Sequence, residues 1–121
     1  MSTTPTDMTI EPVWFIEATY APDAAETRIP FRARHLARIG ELKDAGIVIE
    51  VGAFADVSAT IMIVRAADEA GALDIARGDI YMANGVWVEI RARPFGRAVR
   101  SDAAGSSRGR PPLGRAGRSP V

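Results

Sequence analysis

No cysteine occurs among the 121 residues, and there is one histidine. A disulfide framework, a thiolate zinc site, an iron–sulfur cluster and a cysteine nucleophile are therefore excluded. One histidine with scattered carboxylates does not supply a convergent ligand set for zinc or iron, so no metal is expected. A Gly-rich phosphate loop and a dinucleotide fingerprint are both missing, and no cofactor is expected. No apolar run approaches the ~18–20 residues of a membrane span. The opening MSTTPTDMTIEP lacks the basic start and apolar stretch of a signal peptide. The sequence thus reads as cytoplasmic, without a membrane partner. What is present, 47% hydrophobic and 25% charged residues, fits one globular domain, since a domain takes ~100–150 residues.

Net charge is missing too, with 15 Lys+Arg against 15 Asp+Glu, but the balance is uneven along the chain. Residues 1–97 carry 14 acidic and 10 basic side chains, whereas residues 98–121 carry 5 Arg and one acidic residue, Asp102. The latter stretch, AVRSDAAGSSRGRPPLGRAGRSPV, is rich in Gly, Ser, Pro, Ala and Arg and has no aromatic residue or apolar period. It cannot bury enough surface to offset the entropy of ordering it, and reads as a disordered tail. Its arginines have no interleaved aromatics for base stacking, so no nucleic-acid partner is expected. Residues 1–11 read as a flexible N-terminus, leaving 12–97 as the folded unit.

Within that unit the apolar period changes repeatedly. VWFIEATY (13–20) sets Trp14, Ile16, Ala18 and Tyr20 on one face and Val13 and Phe15 on the other, as a strand does. After the polar APDAAET, Phe31, His35, Ile39 and Leu42 recur at helical spacing, with Pro30 suited to the first turn and Gly46 to the end. IVIEVGAF (47–54) and ATIMIVR (59–65) read as a β-hairpin. Asp68 is a candidate N-cap for a second helix, ended by Gly78. GVWVEIRARPF (85–95) alternates Val86, Val88 and Ile90 with Trp87, Glu89 and Arg91 as a final strand.

The order β-α-β-β-α-β is the split βαβ arrangement: an α+β, ferredoxin-like fold, its four-stranded antiparallel sheet carrying two helices on one face. Since Val13 and Phe15, and likewise Ile61 and Ile63, lie opposite the helix-facing set, the uncovered face is apolar. A homodimer through the sheets is the expectation.

His35 lies on the apolar stripe of the first helix, flanked by Arg32, Arg34 and Arg38. Its position fits either a hydrogen-bonded core histidine or a catalytic base. Asp79, in RGDIYMANGV between the second helix and the last strand, fits either a turn or cap or a site carboxylate. If the two meet, a carboxylate on imidazole Nδ1 fixes the tautomer and raises the basicity of Nε2, as a general base requires. Arg32 or Arg34 is suited to a substrate carboxylate, and Tyr81, Phe54 and Trp87 to an apolar pocket for a ring-shaped ligand.

Arg32-Ala33-Arg34-His35-Leu36-Ala37-Arg38, Asp44-Ala45-Gly46, Val51-Gly52, Asp68-Glu69-Ala70, Gly78-Asp79-Ile80-Tyr81, Asn84-Gly85-Val86 and Arg93-Pro94-Phe95 together resemble the YCII-related (YciI-like) family over about residues 13–97. That family is similar to the dimeric α+β barrels that include muconolactone isomerase and chloromuconolactone dehalogenase. The chain departs from the pattern at Ala53 and Ile80, where the family usually has proline. The resemblance implies a dimeric α+β barrel with a His-Asp dyad, mapping onto His35 and Asp79, in a small pocket with Arg32. The activity it implies is that of a small cofactor-independent lyase or isomerase, dehydrochlorinase- or lactone-isomerase-like, acting on a cyclic acid or lactone. His35 then removes a proton next to a carbonyl, Asp79 orients the imidazole and Arg32 holds a carboxylate. The alternative from another class is a non-catalytic dimeric module that binds a small molecule or a protein, with a structural His-Asp pair.

Overall fold

The computed structural model describes residues 7–101. In chain order the elements are β1 (Met8–Tyr20), α1 (Ala24–Thr27), a 3-10 turn (Ile29–Phe31), α2 (Arg32–Asp44), β2 (Val48–Ala53), β3 (Ala59–Val64), α3 (Glu69–Arg77), α4 (Ile80–Ala83) and β4 (Trp87–Arg100). The strands form one antiparallel sheet in the order β2-β3-β1-β4, the ferredoxin-like arrangement that the sequence pattern indicates. Helices α1 and α4 lie where that pattern gives only turns. Four residues are too few for a helical period to register.

The helix that carries His35 is closed by its C-terminal sequence. Gly46 has φ +79, a conformation that glycine adopts without penalty. There Ile47 N–H donates to Leu42 O at 2.9 Å and Gly46 N–H to Lys43 O at 3.0 Å, so the last turn's carbonyls are satisfied and the chain reverses into β2. At the start of α3, the Asp68 carboxylate accepts from Gly71 N–H at 2.8 Å, as an N-cap should.

Ile16, Ala18 and Tyr20 of β1, Val48 and Val51 of β2, and Met62 and Val64 of β3 face the helices, packing against Ile39, Ala72 and Ala76. On the other face Phe15, Ile61 and Ile63 are half-buried. Phe15 there meets Phe95 at 5.9 Å between ring centroids, with the Arg93 guanidinium 5.5 Å from the Phe15 ring. Glu17 and Arg91 line the same hollow, so the uncovered face has an aromatic centre with charges beside it.

Two features correct the sequence reading. Pairing of β1 with β4 continues past the expected boundaries at 12 and 97: Met8 to Glu11 pairs with Arg97 to Arg100, and Ser101 N–H donates to Asp7 O at 2.7 Å. A backbone ladder needs no apolar period, and Glu11 ties this ribbon to its neighbours through Arg65 (2.7 Å) and Arg97 (2.8 Å). Residues 1–6 and 102–121, the rest of the two segments expected to be loose, lie outside the described residues. Secondly, the alternation along β4 breaks. Glu89 pairs with Thr19 but Trp87 with Tyr20, so Val88 is the extra residue of a β-bulge. Val88 is therefore 56% exposed while Trp87, assigned to the opposite face by strict alternation, is 1% exposed in the core. Burying such an aromatic side chain stabilises by about 1.5–3 kcal/mol.

Candidate functional site

Three elements bring the site together. α2 turns His35 inward beside Ile39, the bulge turns Trp87 inward from β4, and the chain between α3 and α4 brings in Asp79. His35 Nδ1 lies 2.8 Å from Asp79 Oδ1 and 3.0 Å from Oδ2, across 44 residues of chain. The pair is deep: His35 is 4% exposed and Asp79 1%. An ionised carboxylate only accepts, so Nδ1 carries a proton, and in the neutral imidazole the lone pair is then on Nε2.

Asp79 is also held by its own segment. Its backbone is extended (φ −84, ψ 143), and Oδ1 accepts from Tyr81 N–H at 2.9 Å, capping α4. The helix cap and the imidazole partner are thus one carboxylate. Ile80 occupies the first helical position, which tolerates proline, and Asp79 already has the backbone that precedes a proline. The segment takes the course that a proline at 80 would impose without having one.

The imidazole lies flat on Tyr81, with ring centroids 3.9 Å apart and planes 8° from parallel. Trp87 stands edge-on to both rings at 5.5 Å. Tyr20 lies 6.1 Å from Tyr81, accepts a hydrogen bond from Thr60 Oγ1 at 3.0 Å, and has the Arg28 guanidinium 5.8 Å from its ring. Burial, followed by the neighbouring Tyr20, pushes the Tyr81 phenol up to about 12, against the opposing pull of Arg28 and Arg32. It stays neutral at any physiological pH. Among the described residues, the Trp87 Nε1–H and Thr27 Oγ1 are buried polar atoms without a partner. His35 Nε2 makes no hydrogen bond among the described residues, and the residue as a whole is 4% exposed.

Of the residues singled out from sequence, His35, Asp79 and Tyr81 are in direct contact. Arg32 begins α2 and is close enough for its charge to act on the Tyr81 phenol. Phe54 sits outside β2 at the turn into β3, 54% exposed, its N–H donating to Ala59 O at 3.0 Å. That turn lies at the Tyr20 end of β1, where Tyr20 N–H donates to Ser58 O at 3.0 Å. One site residue carries no role in the sequence reading: Arg38, whose Nη1 donates to Asp79 Oδ2 at 3.3 Å. Its signal was the spacing, three residues beyond His35 on one helical face. Among the described residues no three His, Cys, Asp or Glu side chains group as metal ligands, and no helix is long and apolar enough to cross a membrane.

Among curated proteins none matches the chain. Among solved structures it is similar to 5-chloro-2-hydroxyhydroquinone dehydrochlorinase (TftG) from Burkholderia phenoliruptrix AC1100, in complex with 2,5-dihydroxybenzoquinone. The two are 17% identical with a TM-score of 0.60, over 69% of this chain and 92% of that one, which establishes a common fold. The sequence model of the YCII-related domain matches residues 13–96, nearly the whole of the four-stranded unit. With the resemblance of its motifs borne out in this way, the chain belongs to the YCII-related domain family.

Proposed function

We propose that this protein is a cofactor-independent lyase or isomerase that uses His35 as a general base on a small cyclic acid, lactone or chlorinated hydroxylated ring. The observation that carries the reading is the dyad: Nδ1 faces both Asp79 oxygens at 2.8 and 3.0 Å while Nε2 has no partner among the described residues. Nε2 takes a proton from a carbon next to a carbonyl, and Asp79 stabilises the imidazolium that forms. The electron pair moves onto the carbonyl oxygen, and then either expels a leaving group such as chloride from the neighbouring carbon or is reprotonated elsewhere. Arg32, close to Tyr81, supplies positive charge for a substrate carboxylate or enolate. Tyr81 provides a flat, neutral wall against which the imidazole cannot tilt. The fold shared with a dehydrochlorinase supports the choice of substrates to try first.

The test is a panel of chlorinated hydroxyquinols and unsaturated lactones, followed by chloride release and ring absorbance. Native protein should turn over one of them, with His35→Asn and Asp79→Asn each slower by about 10²–10⁴-fold. A substrate whose turnover survives His35→Asn refutes the assignment of the base. A second reading, a non-catalytic binding module, draws on the depth of the pair, 4% and 1% exposed. It predicts that ring acids shift the His35 imidazole signals without being consumed.

We also propose that a second copy covers the open sheet face, where Phe15, Ile61 and Ile63 lie half-buried and Phe95 is 44% exposed. Light scattering at micromolar concentration should give twice the chain mass, and Phe15→Glu should return it to the single-chain value. A native protein of single-chain mass refutes the dimer.

A further inference from the structure

Each Asp79 oxygen has one anchor besides the imidazole. For Oδ1 it is Tyr81 N–H at 2.9 Å, within the same turn. For Oδ2 it is Arg38 Nη1 at 3.3 Å, reaching across from the helix that carries His35. The other terminal nitrogen of Arg38, Nη2, donates to Ile75 O in α3 at 2.9 Å. One planar guanidinium thus joins α2, α3 and the dyad carboxylate, a fork that an ammonium cannot reproduce. Space for it is left by Gly78, where an added Cβ would lie 2.8 Å from Arg38 Nη2 and 3.5 Å from its Cζ. The Gly78 backbone is ordinary (φ −77, ψ 0), so the guanidinium, not the chain's conformation, is what a side chain there would disturb.

We propose that Arg38 is a positioning residue for the dyad: by holding Asp79 Oδ2 it keeps both carboxylate oxygens on His35 Nδ1 and so fixes the tautomer that leaves Nε2 unprotonated. Two anchors on two oxygens determine the rotation of the carboxylate, whereas Tyr81 N–H alone leaves it free to turn about the Cβ–Cγ bond. The inference rests on reading His35 as a base, since only then does the tautomer matter to function. It assigns Gly78 a part as well, because the smallest residue there admits the guanidinium.

The experiment is an imidazole 1H–15N correlation spectrum of the full chain, in which His35 is the only histidine. Native protein should show the Nδ1–H tautomer alone, its proton slow to exchange with water. Arg38→Met should bring in the Nε2–H form and speed Nδ1–H exchange about tenfold or more, the loss of one charge-assisted hydrogen bond. Arg38→Lys should restore little, because it replaces a two-pronged donor by a point. Gly78→Ala should shift the spectrum in the same direction while leaving the fold intact, since a flexible side-chain end is what must move. It therefore decides the matter if Arg38→Met does not fold. Native exchange and tautomer in folded Arg38→Met, or in Gly78→Ala when Arg38→Met does not fold, would overturn the role of Arg38 while leaving the dyad standing. An Nε2–H tautomer in the native protein would sink the dyad itself, and the proposal with it.

Discussion

Replacing Asp79 by Asn keeps the shape and removes the charge, which makes it the most informative single perturbation of this fold. The carboxylate accepts from His35 at 2.8 and 3.0 Å, from Tyr81 N–H at 2.9 Å and from Arg38 at 3.3 Å. An asparagine has one acceptor oxygen. Placed at the Oδ1 position it keeps Tyr81 N–H and the imidazole, and its NH₂ group is then forced against the Arg38 donor. A hydrogen bond to a charged group is worth about 1.5–3 kcal/mol. The Arg38 side chain, 29% exposed, can turn part of its charge to water, so the lower half of that range applies and Asn should cost about 2 kcal/mol. Alanine removes the cap, about 1 kcal/mol, and also leaves the buried imidazole unpaired, so Asp79→Ala should cost about 3–5 kcal/mol in all. At about 4–8 °C per kcal/mol for a domain of this size, the Asn variant melts about 8–16 °C lower and the Ala variant lower still. Thermal and urea unfolding at pH 7 measure this, with far-UV dichroism and tryptophan fluorescence required to coincide so that a two-state free energy is defined. An Asn variant within about 0.5 kcal/mol of native, or an Ala variant no worse than Asn, would refute the reasoning that this carboxylate supports the fold through charge-assisted contacts.

Other perturbations test the remaining parts. Gly46→Ala forces a side chain into the φ +79 conformation that closes α2, and should lower stability by about 1–2 kcal/mol in urea unfolding; no loss would mean that the turn can relax. With the Tyr81 phenol raised to about 12 by burial, the unfolded chain releases this proton first as pH rises past the ordinary tyrosine value of 10. Stability should therefore fall from pH 10 upward and level off beyond 12, and Tyr81→Phe should fall less steeply; equal slopes would contradict the burial argument. Hydrogen bonds from Arg65 and then Arg97 hold the Glu11 carboxyl below its ordinary value of 4.5. Its ties to the ribbon are thus fully present above that value and are lost as pH falls below it. Amide protection relative to intrinsic exchange in Met8 to Glu11 should fall through that range in native protein and be low throughout in Glu11→Gln; pH-independent protection in the native ribbon would refute the link.

The split βαβ order was legible because each long element advertised itself. Phe31, His35, Ile39 and Leu42 mark one helical face, and Asp68 and Gly46 act as the cap and stop that their chemistry suggests. The contact between His35 and Asp79 could be suspected but not placed, since 44 residues separate the two and no periodicity links a helix face to a turn. Trp87 is named from sequence as a pocket aromatic, but the face it takes was hidden by a different cause. Alternation assigns it away from Val88's face, and a one-residue bulge, which leaves no mark in composition, exchanges the two. α4 escaped for want of length, although Asp79 and Asn84-Gly85 bracket it with ordinary cap and stop residues. In the sequence Arg38 is one of three arginines flanking His35. Its role emerges only when α3 offers it the Ile75 carbonyl.

The pairing of Met8 with Arg100, and of Asp7 with Ser101, brings the two ends of the folded unit side by side. A unit whose ends meet behaves as a cassette. It can be set into a surface loop of another protein without prising the host apart, and a short linker from 101 to 7 would allow new ends to be cut at the exposed turn between β2 and β3. For anything attached on both sides, the same geometry is a leash: a partner captured by one flanking segment is held within reach of the other, and the local concentration between them is set by the lengths of those segments rather than by the size of the domain.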